Sequence, residues 1–221
     1  TVAAALKVPT LLWGARDARP NSFEARGRDT QCGMFACSKV LRRYNVKFSY
    51  IWNCEIESDD FANGYVSFIR VANVVKTVKS LRIAKFGARP QPFMSCMDNV
   101  GELATRYGVT TVPVSPVAVA NLADEIIAAN EKEYVDYLAD FSARFETEMP
   151  KEKVARSAAL TLAAERLMEK NNWSVGAMEC WPATAIYGAP VCPPLGELAD
   201  RGYPISCETD VKGAITMASL R

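Results

Sequence analysis

Residues 81–90, Leu-Arg-Ile-Ala-Lys-Phe-Gly-Ala-Arg-Pro, join a short apolar run to a glycine turn. The run at 82–86 has the length of a buried strand, and the glycine that follows suits the turn that ends it. The same order of features occurs earlier, where an apolar run at 6–13 precedes Gly-Ala-Arg at 14–16. Two successive α/β layers dividing near Leu81 would explain this repetition, as would chance similarity between two strand-to-loop turns.

Outward from this stretch, strand-like and helix-like patterns alternate along the whole chain. A chain of this pattern predicts α/β units with mostly parallel strand pairing. Pro113 cannot donate a hydrogen bond within a sheet, so its strand is expected at an edge or its proline at a strand end. The pattern predicts strands at 6–13, 82–86, 109–114, 174–180 and 203–207, and two long helices at 117–145 and 150–171.

Composition excludes several classes of protein. The 221 residues are 49% hydrophobic and 23% charged, with a formal net charge of +1, which is ordinary for a globular protein. Such a small net charge favours neither nucleic acid nor an anionic membrane as a partner. No apolar run approaches the ~20 residues needed to span a bilayer. Because the chain has no histidine, it cannot build a Ser-His or Cys-His catalytic unit or a histidine metal ligand.

The seven cysteines are an odd number and mostly lie in apolar runs. No CxxC spacing occurs among them, which disfavours a structural zinc site. No secretory signal peptide is visible. This pattern predicts reduced, buried cysteines in a cytoplasmic protein rather than a disulfide framework.

Ligands of parallel sheets gather at the carboxyl ends of strands, and the sharpest candidate follows the last strand. Glu208 comes directly after that strand, and Asp210 stands at the start of the next helix. Two carboxylates there could hold a hard cation such as Mn²⁺ or Mg²⁺ or move protons. The alternatives are that Asp210 is only the N-cap of the helix and Glu208 only an exposed loop acid.

A second strand end carries Glu179, Cys180 and Trp181. The indole of Trp181 could stack on a sugar, or it could belong to the core. Arg16 and Arg89, which follow the two Gly-Ala turns, could hold an anion or form surface ion pairs. Neither a GxGxxG motif nor a P-loop is present, so a dinucleotide or nucleotide site is disfavoured.

The segment around Glu208, CETDVKGAITM at 207–217, resembles the part of L-fucose isomerase and its relatives in which a glutamate opens the metal site before a helix. Three other parts of the sequence resemble this family in the same order. They are VPTLLWGARDARPN at 8–21, LRIAKFGARPQPFMSC at 81–96 followed by YGVTTVPVSP at 107–116, and MECWPAT at 178–184. The chain is thus similar to the central part of an L-fucose/L-arabinose isomerase.

The resemblance implies a Rossmann-like three-layer α/β/α fold in two parts. Residues 1–81 would be the end of a first domain, and 82–221 a second domain that carries part of the active site. It also implies a Mn²⁺-dependent aldose–ketose isomerase that works through an enediol and assembles as a homo-oligomer. Glu208 would be a metal ligand and catalytic acid/base, and the strand end at 179–181 would line the sugar site.

The family's further acidic ligand and its histidine ligand would lie beyond Arg221, in other segments or chains. We therefore expect negligible activity from this chain in isolation. A non-catalytic sugar-binding or scaffold module is the alternative function. The sequence leaves four points open. They are the identity of the sugar, the oligomeric state, whether the rest of the protein is present as a separate chain, and any role of Asp210 beyond capping.

Overall fold

The computed structural model of the chain describes residues 2–17, 28–144 and 147–221. The chain divides into two compact units, Thr1–Lys76 and Thr77–Arg221. Every strand pair described in either unit is parallel, which confirms the predicted α/β class. The assignment of 1–81 and 82–221 to two Rossmann-like domains stays a prediction. The end of the family-like segment at 8–21 lies outside the described residues.

The first unit is built around a two-stranded parallel sheet. The strand predicted at 6–13 is wrong in extent, because only Leu11 and Leu12 form it. Lys7 adopts a left-handed backbone conformation that ends a short helix, and Pro9 has no N–H to donate to a sheet. The elements are α1 (Val2–Leu6), β1 (Leu11–Leu12), α2 (Thr30–Arg43), β2 (Ser49–Tyr50) and α3 (Asp59–Lys79), the last of which runs into the second unit.

The second unit contains a four-stranded parallel sheet. Its strands are β3 (Arg82–Phe86), β4 (Thr110–Val114), β5 (Val175–Met178) and β6 (Ile205–Ser206). They lie in the order β4-β3-β5-β6, so β4 is an edge strand. Its position confirms the expectation for Pro113, because an edge strand tolerates a residue without an N–H on its unpaired side.

Helices pack on both faces of this sheet. The helices of the unit are α4 (Val100–Glu102), which runs into a π-helical turn, α5 (Pro116–Ala129), α6 (Lys132–Arg144), α7 (Lys151–Lys170), α8 (Thr184–Tyr187), α9 (Cys192–Asp200) and α10 (Val211–Leu220). On one face Ile83 shares a core with Val211 of α10. On the other face Phe86 belongs to the larger core that includes α5, α6, α7 and α9. Alternate residues of each strand therefore stabilise opposite layers.

The helix predicted at 117–145 is wrong as a single element. Asn130 adopts a left-handed conformation, with φ 49° and ψ 39°, and its N–H donates to the carbonyl of Ile126 at 3.1 Å. Asparagine tolerates this conformation better than other non-glycine residues, so α5 ends there and α6 begins. The last predicted residue, 145, lies outside the described residues. The helix predicted at 150–171 is confirmed as α7.

Helix α7 is the most buried helix of the larger core. Ala158, Ala159 and Ala163 are fully buried in it, and it packs against α5, α6 and α9. Small side chains allow these helices to approach closely, and burial on several sides explains why a modestly apolar sequence forms a central helix. No helix in the described part of the chain has the length and hydropathy needed to cross a membrane.

An ion pair between an exposed arginine and a buried glutamate links α6 to α9. Glu197 is 6% exposed, and Arg144 donates to both of its carboxylate oxygens, at 2.7 and 2.6 Å. The hydroxyl of Tyr137 donates to the same carboxylate at 3.0 Å. The hydrogen bonds from Arg144, assisted by Tyr137, lower the pKa of Glu197 against the opposing effect of burial. Burial raises the pKa of Tyr137 to about 12.

This ion pair should make stability depend on pH. Because folding lowers the pKa of Glu197 below 4.5, its contribution is complete above that pH and is lost as the pH falls through the folded-state pKa. We expect Glu197→Gln to lower the free energy of unfolding by about 1–2 kcal/mol at pH 7, with a smaller difference in acid. Urea denaturation at a series of pH values measures this. Asp136→Asn, in an exposed pair with Lys132, is the control and should change stability by less than about 0.5 kcal/mol. An equal loss at every pH would contradict the assignment.

Two glycines should respond to alanine in opposite directions. Gly108 ends the π-helical turn with φ 72°, and a Cβ there would lie 2.7 Å from the carbonyl oxygen of Lys79. We expect Gly108→Ala to lower the free energy of unfolding by about 1–3 kcal/mol. Gly196 lies inside α9 with nothing within 4 Å of its Cβ position, so Gly196→Ala should raise stability by about 0.5–1 kcal/mol. Urea denaturation of both variants provides the comparison, and a tolerated Gly108→Ala would refute the close approach.

Candidate functional site

The loops after β3, β5 and β6 meet at one edge of the sheet of the second unit. The N–H of Ala88 donates to Oε2 of Glu179 at 2.9 Å. The hydroxyl of Thr209 donates to the carbonyl of Ala88 at 3.0 Å. One peptide segment after β3 is therefore bonded to the loops after both of the other strands, and the predicted strand-end residues are brought together.

Gly87 makes the close approach of Glu179 sterically feasible. Its φ is +83°, and a Cβ at this position would lie 2.2 Å from Oε2 of Glu179 and 3.0 Å from Cγ of Pro116. Only glycine fits both the conformation and the space. The Gly-Ala turn that the sequence indicated thus positions a carboxylate rather than a phosphate.

Glu208 has an unusual backbone conformation and an unpaired carboxylate oxygen. Its φ and ψ are 60° and 19°, within a short 3₁₀ turn at Cys207–Thr209. Thr209 is also left-handed, with φ 54°, and is fully buried. Oε2 of Glu208 is buried and has no hydrogen-bond partner among the described residues. Glu208 is half-buried, so the alternative of an exposed loop acid is wrong.

Asp210 caps helix α10. Its Oδ1 accepts a hydrogen bond from the N–H of Lys212 at 3.1 Å, which is the geometry of an N-cap. The amine of Lys212 donates to the carbonyl of Ser95 at 2.6 Å, so it also has a structural partner. Capping accounts for the position of Asp210 at the mouth of the helix.

Two thiols adjoin Glu208. Among the described residues, Sγ of Cys180, Sγ of Cys207 and a carboxylate oxygen of Glu208 all lie within 4.8 Å of one another. The Cys207 thiol donates to Oε1 of Glu208 at 3.8 Å. Burial, and then the neighbouring Cys180 thiol, raise the pKa of Cys207 to about 12. Burial, and then a hydrogen bond with Glu208, raise the pKa of Cys180. Both thiols are therefore protonated at neutral pH.

The wider prediction of buried cysteines is only partly confirmed. All seven cysteines are described and none forms a disulfide, and Cys54, Cys96 and Cys180 are buried. Cys32, Cys37 and Cys192 are exposed, because the helix faces that carry them point to solvent. Apolar neighbours in sequence do not fix which side of a helix a cysteine occupies.

Trp181 lies at the open side of this site and is not part of the core. Its side chain is 56% exposed, and its ring centroid lies 6.3 Å from that of Phe93, which follows β3. The alternative that Trp181 packs in the core is wrong. An exposed indole beside Cys180 offers a flat apolar face to a ligand.

The two candidate anion-binding arginines belong to different units, Arg16 to the first and Arg89 to the second. The guanidinium of Arg89 donates to the carbonyls of Pro90 and Gln91 at 2.8 and 2.7 Å. Arg89 therefore stabilises its own loop through backbone carbonyls. Its hydrogen bonds in the described part of the chain are not those of the alternative, a surface ion pair.

Sequence reasoning missed Tyr187, which lies beside the predicted residues. It is fully buried, and its hydroxyl has no hydrogen-bond partner among the described residues. Burial raises its pKa, and the nearby Glu179 and Cys180 raise it further. Tyr187 ends the short helix α8, whose four residues carry no readable periodicity, so no sequence signal pointed to it.

A separate cavity occurs in the first unit. It has a volume of about 680 Å³ and is lined mainly by α2 and the residues around β2. The lining is largely apolar and includes Met34, Phe35 and Trp52. None of the predicted site residues contributes to it, and the groups that could perform chemistry are at the sheet edge of the second unit.

The residues at this edge fit a divalent cation in part. The unpartnered Oε2 of Glu208 is the kind of buried acceptor that a cation would satisfy. The two thiols, in contrast, favour softer ions than Mn²⁺. Among the described residues of this edge, Glu208 is the carboxylate that has a buried, unpartnered oxygen for a hard cation.

Comparisons with known proteins agree on one family. Residues 1–79 match the model of the fucose/sulfoquinovose isomerase N-terminal domain. The chain is 27% identical to a sulfoquinovose isomerase of Alkalicoccus urumqiensis over 96% of its length. It is 25% identical to the sulfoquinovose isomerase of Clostridium sp. (strain MSTE9) over 95% of its length, and 24% identical to that of Priestia aryabhattai over 97%.

The chain spans about half the length of the curated relatives it matches. The aligned segments cover 47% of the Alkalicoccus protein and 46% of the Clostridium protein. The relatives thus contain as much sequence again as the matched region. The candidate site lies in the region shared with them but beyond the residues matched by the family model.

The capping role of Asp210 can be separated from a role in ligand binding. We expect Asp210→Ala to lower the free energy of unfolding by about 1 kcal/mol, because the first turn of α10 loses its acceptor. Asp210→Asn retains an acceptor oxygen and should stay within a few tenths of a kcal/mol of the unchanged chain. Thermal and urea denaturation measure both. If Asp210→Asn abolished metal binding while preserving stability, Asp210 would be a ligand and not only a cap.

Proposed function

Because the chain belongs to the fucose isomerase-like family of aldose–ketose isomerases, we propose that it supplies part of the active site of a metal-dependent sugar isomerase. The site is the sheet edge formed by Glu179, Cys180, Trp181 and Glu208. The proposal assigns Glu208 to metal binding and proton transfer and the other three residues to the sugar.

The observation that carries this proposal is the state of Glu208. A left-handed non-glycine residue costs about 1–3 kcal/mol, and a buried carboxylate oxygen without a partner adds a desolvation penalty. Glu208 combines both features. Costs of this kind concentrate at functional sites, where a ligand satisfies the group that the fold leaves unpaired.

The two oxygens of Glu208 have different surroundings. Oε1 accepts the weak hydrogen bond from the Cys207 thiol, whereas Oε2 has no partner among the described residues. Aldose–ketose isomerisation moves a proton from carbon 2 of the open-chain sugar to carbon 1 through an enediol, while oxygen 2 gives up its hydroxyl proton and oxygen 1 gains one. Glu208 would accept and return the carbon-bound proton on its carboxylate.

Glu179 and Trp181 would position the sugar. Glu179 is held by the Ala88 N–H through Oε2, which leaves Oε1 to accept from a sugar hydroxyl. The exposed indole of Trp181 would stack on the apolar face of the ring. Cys180, buried behind them, would close the site on its inner side.

The cofactor that we propose is Mn²⁺, with Glu208 as the ligand that this segment provides. When bound, the cation would polarise the carbonyl and hydroxyl oxygens of the sugar. The remaining ligands would come from other segments or from neighbouring subunits, in keeping with the greater length of the relatives. A homo-oligomeric assembly and a cytoplasmic location stay predictions.

The substrate we propose is an aldose of the fucose, arabinose or sulfoquinovose type. The family description names fucose and sulfoquinovose, and the relatives compared above are called sulfoquinovose isomerases. Sulfoquinovose therefore joins the L-fucose/L-arabinose-like sugars that the sequence resemblance implied. All three belong in the first substrate panel.

The decisive variant is Glu208→Gln in a protein of the relatives' length that contains this chain. After chelation and addition of Mn²⁺, the unchanged protein should convert one of the three aldoses to its ketose. Glu208→Gln should lower kcat by roughly 10²–10⁴-fold, because the amide can neither accept the proton nor balance the charge of a cation. Polarimetry or sugar chromatography measures turnover, and equilibrium dialysis measures Mn²⁺ binding.

Glu125→Gln is a matched control, since Glu125 is an exposed acid on α5, and it should leave kcat unchanged. If Glu208→Gln retained both turnover and Mn²⁺ binding, the scaffold or sugar-binding alternative would replace the catalytic one. The 221-residue chain alone should show negligible Mn²⁺-dependent turnover; activity there would overturn the proposal that further ligands are needed.

A further inference from the structure

Neither of the two thiols beside Glu208 takes part in the proton transfer or Mn²⁺ binding assigned to that residue. Cys180 follows β5 and Cys207 follows β6, so the parallel pairing of these neighbouring strands brings the two side chains to one place. Their sulfur atoms and a Glu208 oxygen lie within 4.8 Å of one another. None of the other cysteines joins them in such a group within the described part of the chain.

The spacing of these three atoms is close to that of ligands sharing one metal ion. Zinc–sulfur bonds are about 2.3 Å long and zinc–oxygen bonds about 2.0–2.2 Å, so two ligands of one tetrahedral ion lie about 3.5–3.8 Å apart. The three atoms lie within 4.8 Å of one another, and a movement of about 1 Å through side-chain torsions would bring them into range. Oε2 of Glu208, which has no partner within residues 2–17, 28–144 and 147–221, adds an acceptor at the same place.

We propose that Cys180, Cys207 and Glu208 form a binding site for a thiophilic divalent cation, Zn²⁺ or Cd²⁺. Thiolate ligands select soft ions over Mn²⁺ and Mg²⁺, so this site is chemically distinct from the hard-cation role of Glu208. The set of two sulfurs and one oxygen leaves a fourth tetrahedral position for water or another oxygen ligand.

Binding releases protons and changes no oxidation state. As each sulfur–metal bond forms, the thiol proton passes to solvent, and Glu208 binds as the carboxylate. The free site, with two protonated thiols and one carboxylate, has a net charge of −1. The bound site, with two thiolates, one carboxylate and one dication, has the same net charge. The buried site therefore gains a cation without a change in net charge, which limits the desolvation penalty.

One consequence rests on the proposed function. A thiophilic ion that engages Glu208 occupies the carboxylate assigned to Mn²⁺. Zn²⁺ or Cd²⁺ should therefore inhibit the Mn²⁺-dependent isomerase by competition, and the Cys207→Ser variant should resist that inhibition.

The binding itself is tested on the 221-residue chain. Cys32, Cys37 and Cys192 are exposed and could capture Cd²⁺ on their own, so the starting protein is the triple variant with serine at these positions. After full reduction and removal of the reductant, Cd²⁺ is added while the ultraviolet thiolate-to-cadmium charge-transfer absorption is recorded. Equilibrium dialysis gives the stoichiometry.

We expect about one Cd²⁺ per chain in this background, with an absorption that corresponds to two thiolates. Adding Cys180→Ser or Cys207→Ser should weaken binding at least about tenfold and halve the absorption per bound ion. Glu208→Gln should weaken binding about tenfold and keep the absorption. Cys96→Ser, which removes a buried cysteine outside the group, is the matched control and should change neither quantity.

Circular dichroism and urea denaturation check that each variant folds. If a serine variant does not fold, X-ray absorption at the zinc or cadmium edge on the starting protein counts its sulfur ligands directly. Two sulfur ligands would support the site. None or one would overturn it, as would full binding by the Cys180→Ser/Cys207→Ser double variant.

Loss of isomerase activity with intact Cd²⁺ binding would count against the proposed function alone. Mn²⁺-dependent turnover without Cd²⁺ binding would count against this site alone.

Discussion

The peptide segment around Ala88 is hydrogen-bonded from two directions, and the candidate site depends on those bonds. Its N–H donates to Glu179, and its carbonyl accepts from the buried hydroxyl of Thr209. The loops after three different strands are thereby fixed to one another within ordinary hydrogen-bond distances. Gly87 makes this arrangement possible, because any Cβ would overlap the Glu179 carboxylate. These contacts around Ala88 determine how closely Glu179 approaches. They also determine the position of the 207–209 turn and the direction of Glu208.

The same edge of the sheet concentrates features that do not favour stability. Glu208 and Thr209 are consecutive left-handed residues. A Glu208 oxygen and the Tyr187 hydroxyl are buried without a partner in the described part of the chain. The helical layers on either side of the sheet offset these costs. Helix α7 buries its alanines against α5, α6 and α9, and the Arg144–Glu197 pair joins α6 to α9. A well-packed frame thus holds a strained and under-bonded edge, which is the usual relation between a scaffold and a ligand site.

The comparisons and the geometry address different parts of the molecule. The family model matches residues 1–79, whereas the groups able to perform chemistry lie after β3, β5 and β6 of the second unit. The pairwise relatives cover both regions. Those relatives are named sulfoquinovose isomerases. In this chain, Glu208 has a buried carboxylate oxygen without a partner among the described residues. The thiols next to that carboxylate are a property of this chain's own structure, and they give its edge a softer ligand character than a site for Mn²⁺ alone requires.

The sequence by itself determined the α/β class, the parallel sheet, the restriction of Pro113 to a strand edge or end, and the strand-end location of Glu179 and Glu208. Each of these follows from local signals: apolar runs, helix periodicity and the restrictions of glycine and proline. Tertiary structure decided what local signals cannot encode. Several features depend on which side of a helix or strand faces a neighbouring element. They are the break at Asn130, the exposure of Trp181 and of three cysteines, and the burial of Tyr187. The pairing of Cys180 with Cys207 depends on β5 lying beside β6, a strand order set by the packing of the whole sheet rather than by any segment of the chain.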